Sequence, residues 1–181
     1  MPDIIRERNG ERPRLQGATA AVVTVSDKGS RGEREDLSGS VLAEKLEREG
    51  FEVVLRAIVP DDAAEISAVL LRLADEAKIA LIATTGGTGV APRDVTPEAT
   101  LAVVERLVPG MAEAMRAASL AKTPHAMLSR AVVGIRGTSL IVNLPGSPKG
   151  ASENLDAILP ALSHALAKIG GDASDCAAPG E

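Results

Sequence analysis

Ile79-Ala80-Leu81-Ile82-Ala83-Thr84-Thr85-Gly86-Gly87-Thr88-Gly89 is an apolar run that passes without a spacer into a glycine cluster. The run Ile79–Thr85 has the length and unbroken apolar character of a strand buried on both faces, as in a parallel sheet covered by helices. The glycines behind it let the backbone turn and approach a ligand closely, and their N–H groups can cradle an anion. The segment is not a Walker P-loop, because no Lys follows the last glycine. It is not a dinucleotide fingerprint either, because Gly87-Thr88-Gly89 continues as Val90-Ala91-Pro92. A tight turn needing positive φ is the plainer reading. A turn does not need three glycines, so the pattern favours a phosphate cradle built from Thr85, Gly86, Gly87, Thr88 and Gly89.

The flanking sequence places this strand third in a series. Ala18–Val25 is a first buried strand, ended by Ser26-Asp27, and the polar stretch Lys28–Leu37 reads as a loop. A helix is predicted over Ser38–Glu49, closed by Gly50. Phe51–Val59 is a second strand, stopping at Pro60-Asp61, and Asp61 or Asp62 can cap the helix that follows. Ile66, Val69, Leu70, Leu73, Ala74 and Ala77 form its apolar stripe. Beyond the glycines, Thr96-Pro97-Glu98 reads as a helix start with Thr96 as cap. A further helix is predicted over Gly110–Ala121. The strands Ala131–Arg136 and Ser139–Leu144 are joined by only Gly137-Thr138, so they form an antiparallel hairpin. The last helix, Pro148–Ile169, is expected to kink at Pro160. The fold class is α/β: a three-layer αβα unit over residues 17–170 with a mostly parallel sheet and one antiparallel strand. Residues 1–16 are read as a flexible arm and 171–181 as a loose tail.

Composition narrows the function. The chain has 181 residues, one Phe, no Tyr and no Trp. The core must be aliphatic, and a bound heterocycle must be held by backbone groups and aliphatic walls. A net charge of −5 argues against nucleic acid and against an anionic membrane surface. The single Cys, Cys176, makes no internal disulfide. The charged N-terminal stretch is no signal peptide, and no apolar run has the length of a membrane span, so a cytoplasmic location is expected.

In an open α/β sheet, ligands bind beyond the carboxyl ends of the strands. The residues found there are Ser26 and Asp27, then Asp61, then Thr84–Gly89 with Asp94, then Asn143 and Pro145-Gly146-Ser147-Pro148-Lys149. Backbone amides beside acids able to hold Mg²⁺ are what phosphoryl or nucleotidyl transfer requires. Each acid also has a plain structural reading, as a cap or a loop acceptor. Ser147 at a helix start can hold an anion or merely cap. Ser129-Arg130 can grip a second phosphate or form a surface turn. His125 and His164 have no partner at a telling spacing, and no nucleophile–base pair stands out, which disfavours acyl-enzyme chemistry.

Taken together, SDKGSRGEREDLSG (Ser26–Gly39), VPD (Val59–Asp61), TTGGTGVAPRDVTPEAT (Thr84–Thr100), PGMAEAMR (Pro109–Arg116), TPHAMLSRAVVGIRG (Thr123–Gly137) and NLPGSP (Asn143–Pro148) resemble the molybdenum-cofactor proteins of the MogA/MoaB type. The resemblance runs from Ala18 to Gly171. It implies a molybdopterin adenylyltransferase that uses Mg²⁺, ATP and molybdopterin, as a homotrimer or hexamer, with a molybdenum-insertion protein as a further partner. Carried onto this chain, Asp61 and Asp94 match the essential acids and the Mg²⁺ ligands that the resemblance implies. Ser26, Asp27, Thr85, Gly86, Gly87, Thr88 and Gly89 match the nucleotide-phosphate set. Ser129, Arg130, Pro145, Gly146, Ser147 and Lys149 fall where the pterin and its phosphate are expected. Alternatives are a MoaB-type paralogue that binds molybdopterin without adenylyl transfer, a non-enzymatic scaffold or carrier domain, and a pyridine-nucleotide domain of the same fold.

Overall fold

Three apolar runs become β1, Thr19–Val25, β3, Leu81–Thr85, and β6, Ser139–Leu144, and all three are buried along almost their whole lengths. The computed structural model describes residues 17–173; residues 1–16, expected as an arm, and 174–181 of the tail expected over 171–181, with Cys176, lie outside the described residues. Unbroken apolar sequence resolves into two faces because successive strand side chains point to opposite sides. Ala20, Val22, Leu81, Ala83, Leu140 and Val142 face one core, while Ala21, Val23, Ile82 and Ile141 face the other.

The first core is covered by α2 (Leu37–Arg48), α5 (Pro109–Leu120) and α6 (Pro148–Ile169). Leu42, Leu46, Met115, Leu155, Ile158 and Leu162 are the buried contacts these helices contribute. The second core is covered by α3 (Ala63–Leu71) and α4 (Thr96–Val103), through Ile66, Leu70 and Val103. The core is aliphatic apart from Phe51. Leu140 is fully buried at the centre. Leu140→Ala is expected to cost about 3 kcal/mol, the usual scale for a large-to-small core change. Urea denaturation measures this directly; a change under about 1 kcal/mol would contradict the packing described.

The sheet order is β2-β1-β3-β6-β5-β4, with β2 at Glu52–Val59, β5 at Val133–Arg136 and β4 at Arg106–Leu107. β2, β1, β3 and β6 run parallel, while β5 runs against both β6 and β4. Five strands therefore share one direction and only β5 opposes them, as the short link between β5 and β6 requires. The chain moves from β1 outward to β2 and then returns to lay β3 on the other side of β1. That reversal makes the β1/β3 carboxyl ends the topological switch point, where α/β sheets bind ligands.

Several elements depart from the sequence expectations. The apolar stripe of α3 continues through Leu73 and Ala74, which stay buried, but loses its last member, because they lie in a π-turn at Arg72–Glu76 and Lys78 adopts a left-handed conformation with φ 54°. Ala77 is carried off the buried face and is exposed. The stretch after Ser26 contains a one-turn helix, α1 (Asp27–Ser30), capped by the Ser26 hydroxyl. α6 is one helix with Pro160 inside it, as expected, and not two elements. β4 and a 3₁₀ turn at Pro124–Leu128 have no counterpart in the sequence reading. Thr96 is not the cap of α4. It is the first helical residue, fully buried, and its hydroxyl donates to Gly86 O at 2.9 Å.

Candidate active site

Because β1, β2, β3 and β6 are parallel, the segments after them meet at one edge of the sheet. Asp62, not Asp61, caps α3, accepting from the N–H groups of Ala64 and Glu65. Asp61 is thereby free to turn toward β1. The Asp27 N–H donates to Asp61 Oδ2 at 2.7 Å, and the Asp61 N–H donates to Asp27 Oδ1 at 3.0 Å. This reciprocal pair ties the end of β1 to the end of β2. Asp61 Oδ1 accepts no hydrogen bond among the described residues.

Arg93 reaches across and donates to Asp27 from Nη2 at 2.7 and 2.9 Å and from Nε at 3.1 Å. The Arg93 guanidinium, and next the Asp61 N–H, hold the Asp27 carboxyl below the usual carboxylate range. A depressed carboxylate contributes its interaction above its ordinary titration range and loses it only as pH falls through the lowered value. The Asp27–Arg93 latch is thus closed at neutral and mildly acidic pH. In Arg93→Ala, Asp27 is expected to titrate nearer the ordinary carboxylate value, read by NMR of its carboxyl carbon. An unchanged titration would contradict the latch.

The glycine segment closes the edge. Gly86 and Gly87 have φ of 102° and 63°. A Cβ on Gly86 would lie 2.3 Å from Val25 O, and one on Gly87 would lie 2.3 Å from Thr96 Oγ1 and 3.3 Å from Asp61 Oδ1. The loop is therefore pressed between β1, α4 and Asp61 with no room for a side chain. Thr85 Oγ1 donates to Pro145 O at 2.7 Å, and a Cβ on Gly146 would sit 3.2 Å from Gly86 Cα. The Pro145–Ser147 turn is fixed against the cradle in this way.

Two cavities open on either side of the glycine segment. The first, about 300 Å³, is lined by Ser26, Asp36, Asp61, Gly86, Gly87 and Gly146 among others. The second, about 280 Å³, is lined by Thr88, Gly89, Ser129, Pro145, Ser147 and Asn154 among others. Consecutive glycine-loop residues thus form a shared wall, with Gly86 and Gly87 facing one cavity and Thr88 and Gly89 the other. Each is near the lower end of the usual size for a small-molecule site.

The remaining expected residues take varied positions. Asp94 packs on Gly89, whose Cβ would approach Asp94 Oδ2 to 2.7 Å, and it accepts from the Ala91 N–H at 2.8 Å. The Arg130 backbone N–H donates to Thr88 O at 2.9 Å, and its Nε donates to Gly89 O at 2.7 Å. Its guanidinium also reaches Asp94 O and the Glu98 carboxylate. Arg130 therefore braces the Thr88–Glu98 loop. Ser147 caps α6 by accepting from the Gly150 N–H at 3.1 Å. Lys149 is exposed and lines neither cavity. Asn143 is fully buried, donating to Thr84 Oγ1 and Thr100 Oγ1 and accepting from the Val132 N–H, so it locks β6 to its neighbours.

Sequence reading missed the far walls of both cavities. Asp36 caps α2, accepting from Gly39 N at 2.8 Å and from Thr24 Oγ1 at 2.9 Å. Its signal was the Asp that precedes Leu37-Ser38-Gly39. In the second cavity, Arg116 and Ser119 enter from α5, Lys122 and Thr123 from the link after it, and His125 from the 3₁₀ turn. At their helical spacing these look like an ordinary solvated face.

Mg²⁺ usually takes one or two carboxylates and completes its shell with water and substrate phosphates. Among the described residues no group of three or more His, Cys, Asp or Glu side chains is positioned to hold a metal. Asp61, with one oxygen uncommitted beside the glycine segment, offers one carboxylate of the kind such an ion takes.

A doubly wound α/β sheet with a glycine cradle and paired acids at its switch point defines a phosphate-handling α/β protein with two adjoining cavities. The chain belongs to the family described as the probable molybdopterin binding domain, whose model matches residues 21–164. It is 42% identical over 164 residues to the molybdopterin adenylyltransferase of Helicobacter pylori strain J99, covering 87% of this chain and 91% of that one. It is 46% identical over 148 residues to the molybdopterin adenylyltransferase of Escherichia coli K12, covering 80% and 75%. Among solved structures, it superposes with a TM-score of 0.79 on the molybdopterin biosynthesis enzyme MoaB of Thermus thermophilus, at 53% identity, covering 84% of this chain and 96% of that one.

Proposed function

We propose that this protein is a molybdopterin adenylyltransferase acting in molybdenum cofactor biosynthesis. It transfers AMP from Mg-ATP to the phosphate of molybdopterin and releases pyrophosphate. The observation that carries this reading is the shared wall: one glycine segment borders two cavities, so ligands in both can bring phosphates to neighbouring stretches of one loop. In the reaction, an oxygen of the molybdopterin phosphate forms a bond to the α-phosphorus of ATP. The bond from that phosphorus to the bridging oxygen breaks, and pyrophosphate leaves with the electron pair.

A phosphate is already a competent nucleophile, so the protein needs no strong base. Its task is positioning and charge management. The first cavity, with Ser26, Asp61 and the Gly87 N–H, takes the nucleotide phosphates, while the Gly86 N–H is held by Leu144 O. The second, with Ser129 and the Pro145–Ser147 turn, takes the pterin. Asp61, with Asp94 as the second acid, would hold Mg²⁺, which neutralises charge on the phosphates when bound. Asp27 and Arg93 hold Asp61 against the cradle, and Arg130 keeps the loop that carries Asp94 in place.

The assembly that goes with this reading is a homotrimer or hexamer, with a molybdenum-insertion protein downstream and a cytoplasmic location. No helix among the described residues is long and apolar enough to cross a membrane. The second reading is a MoaB-type protein that binds molybdopterin without transferring AMP, and the likeness to a MoaB structure is what raises it. Pyrophosphate release from Mg-ATP separates the two. Release that depends on added molybdopterin supports transfer, whereas pterin binding with no release supports the second reading.

A further inference from the structure

The second cavity contains a polar pair that the phosphate chemistry does not use. Asn154 lies on α6 with 4% of its surface exposed, yet it lines the cavity together with Ser119 of α5. Its Nδ2 donates to Gly150 O at 2.9 Å and to Ser119 Oγ at 2.8 Å. A backbone carbonyl can only accept, so the Gly150 contact fixes which end of the amide is nitrogen. Both amide hydrogens are then committed, and Oδ1 accepts no hydrogen bond among the described residues. Ser119 Oγ receives one hydrogen bond and keeps its own hydrogen to donate. An acceptor and a donor therefore stand side by side in the wall of a cavity whose other lining includes the apolar Ala126, Leu128 and Pro145.

An amide oxygen that opens on a cavity with no protein partner is available to the N–H of a ligand. The composition points the same way. With one Phe, itself in the core, and no Tyr or Trp, the flat side chains lining the second cavity are the His125 imidazole and the Arg116 guanidinium. Stacking on such planes is tolerant of which ring is bound, so discrimination comes from the edge of the heterocycle.

We infer that Asn154 and Ser119 are specificity-determining residues that read the edge of a nitrogen heterocycle. Asn154 Oδ1 accepts from a ring or exocyclic N–H, and the Ser119 hydroxyl donates to the adjacent nitrogen or carbonyl oxygen. This inference rests on the reading of the second cavity as the pterin compartment, and it assigns the pair to the amino-oxo pyrimidine edge of molybdopterin. Adenine presents a comparable N–H beside a ring nitrogen, so the test separates the two sources.

Calorimetric titration of wild type, Asn154→Ala and Ser119→Ala with molybdopterin, and separately with AMP, reads the effect without depending on turnover. Molybdopterin binding is expected to weaken by about 10-fold or more in each variant, the scale of one lost hydrogen bond to a buried group. AMP binding is expected to stay within about two-fold. The reverse pattern, with AMP weakened and molybdopterin unchanged, overturns the pterin assignment and gives the edge reader to adenine. Competition by free pterin and by lumazine, which carries an oxo group where pterin has its 2-amino group, adds a readout that packing alone does not move. Wild type should discriminate between them, and Asn154→Ala should not. Ser119→Ala leaves the Asn154–Gly150 contact in place, so it stands in if Asn154→Ala folds poorly. Unchanged binding of both ligands, or parallel loss of both together with a lowered melting temperature, overturns the inference. A wild-type protein that binds both ligands and forms no product overturns adenylyl transfer, while the binding titrations still decide the role of Asn154.

Discussion

Asp61→Asn is expected to keep the fold and to lower adenylyl transfer by about 100-fold or more, the scale seen when one preorganised electrostatic group is removed from a reacting site. The amide has the carboxylate's shape and still offers an oxygen to the Asp27 N–H, which lies 2.7 Å from Asp61 Oδ2. What disappears is the negative charge beside Gly87, where Oδ1 is uncommitted. Capping of α3 is untouched, because Asp62 performs it. The loss should therefore fall on kcat, with the melting temperature shifted by no more than about 2 °C, as for a change worth well under 1 kcal/mol. Asp94→Asn is expected to behave similarly, losing most transfer while retaining the fold and pterin binding.

Gly86→Ala has the largest expected effect on both stability and activity. Its φ of 102° lies where a residue with a side chain is strained, and the added Cβ would meet Val25 O at 2.3 Å. Val25 ends a central strand and cannot yield without disturbing β1. Backbone strain costs about 1–3 kcal/mol, and the overlap adds a similar amount. A total of about 3 kcal/mol or more lowers the melting temperature by roughly 10 °C in a domain of this size. Any movement of Gly86 also releases the Thr96 hydroxyl and the Gly146 turn packed against it. Turnover should fall even where the variant remains folded. A melting temperature and activity near wild type would contradict the close approach on which the cradle depends.

The central strands were legible because their information is local. An unbroken apolar run ended by Ser26-Asp27 or by Gly86-Gly87 signals a doubly covered strand and its exit at once. The single reversed strand was legible because Gly137-Thr138 is too short for a crossover. Features set by distant partners were not legible. Thr96 has the local form of a cap, but Gly86 O lies within reach of its hydroxyl and draws it into the helix. The α3 stripe predicted Ala77 on the buried face, and the π-turn after Leu71 rotated it away. β4 is two residues long and exists through its pairing with β5. At the site, the acids and glycines after the strands were visible as a set, because parallel strands must deliver them to one edge. Asp62 as the cap and Asp61 as the free acid could not be separated without the Asp27 contact. Arg130 carries the sequence look of a phosphate ligand, and in the structure its guanidinium braces carbonyls of the glycine loop. The polar wall of Ser119 and Asn154 was hidden because a polar residue on a helix is ordinarily solvated, and only the packing of α5 on α6 turns it inward.

The most direct measurement of the central claim is a single-turnover reaction. Purified protein, molybdopterin and Mg-ATP are mixed, and adenylylated molybdopterin and pyrophosphate are followed by chromatography for wild type and for Asp61→Asn and Asp94→Asn. Equimolar appearance of both products in wild type, with near-complete loss in the two variants and retained pterin binding, is the predicted result. Molybdopterin bound by wild type without either product, or near-normal turnover in both variants, contradicts it.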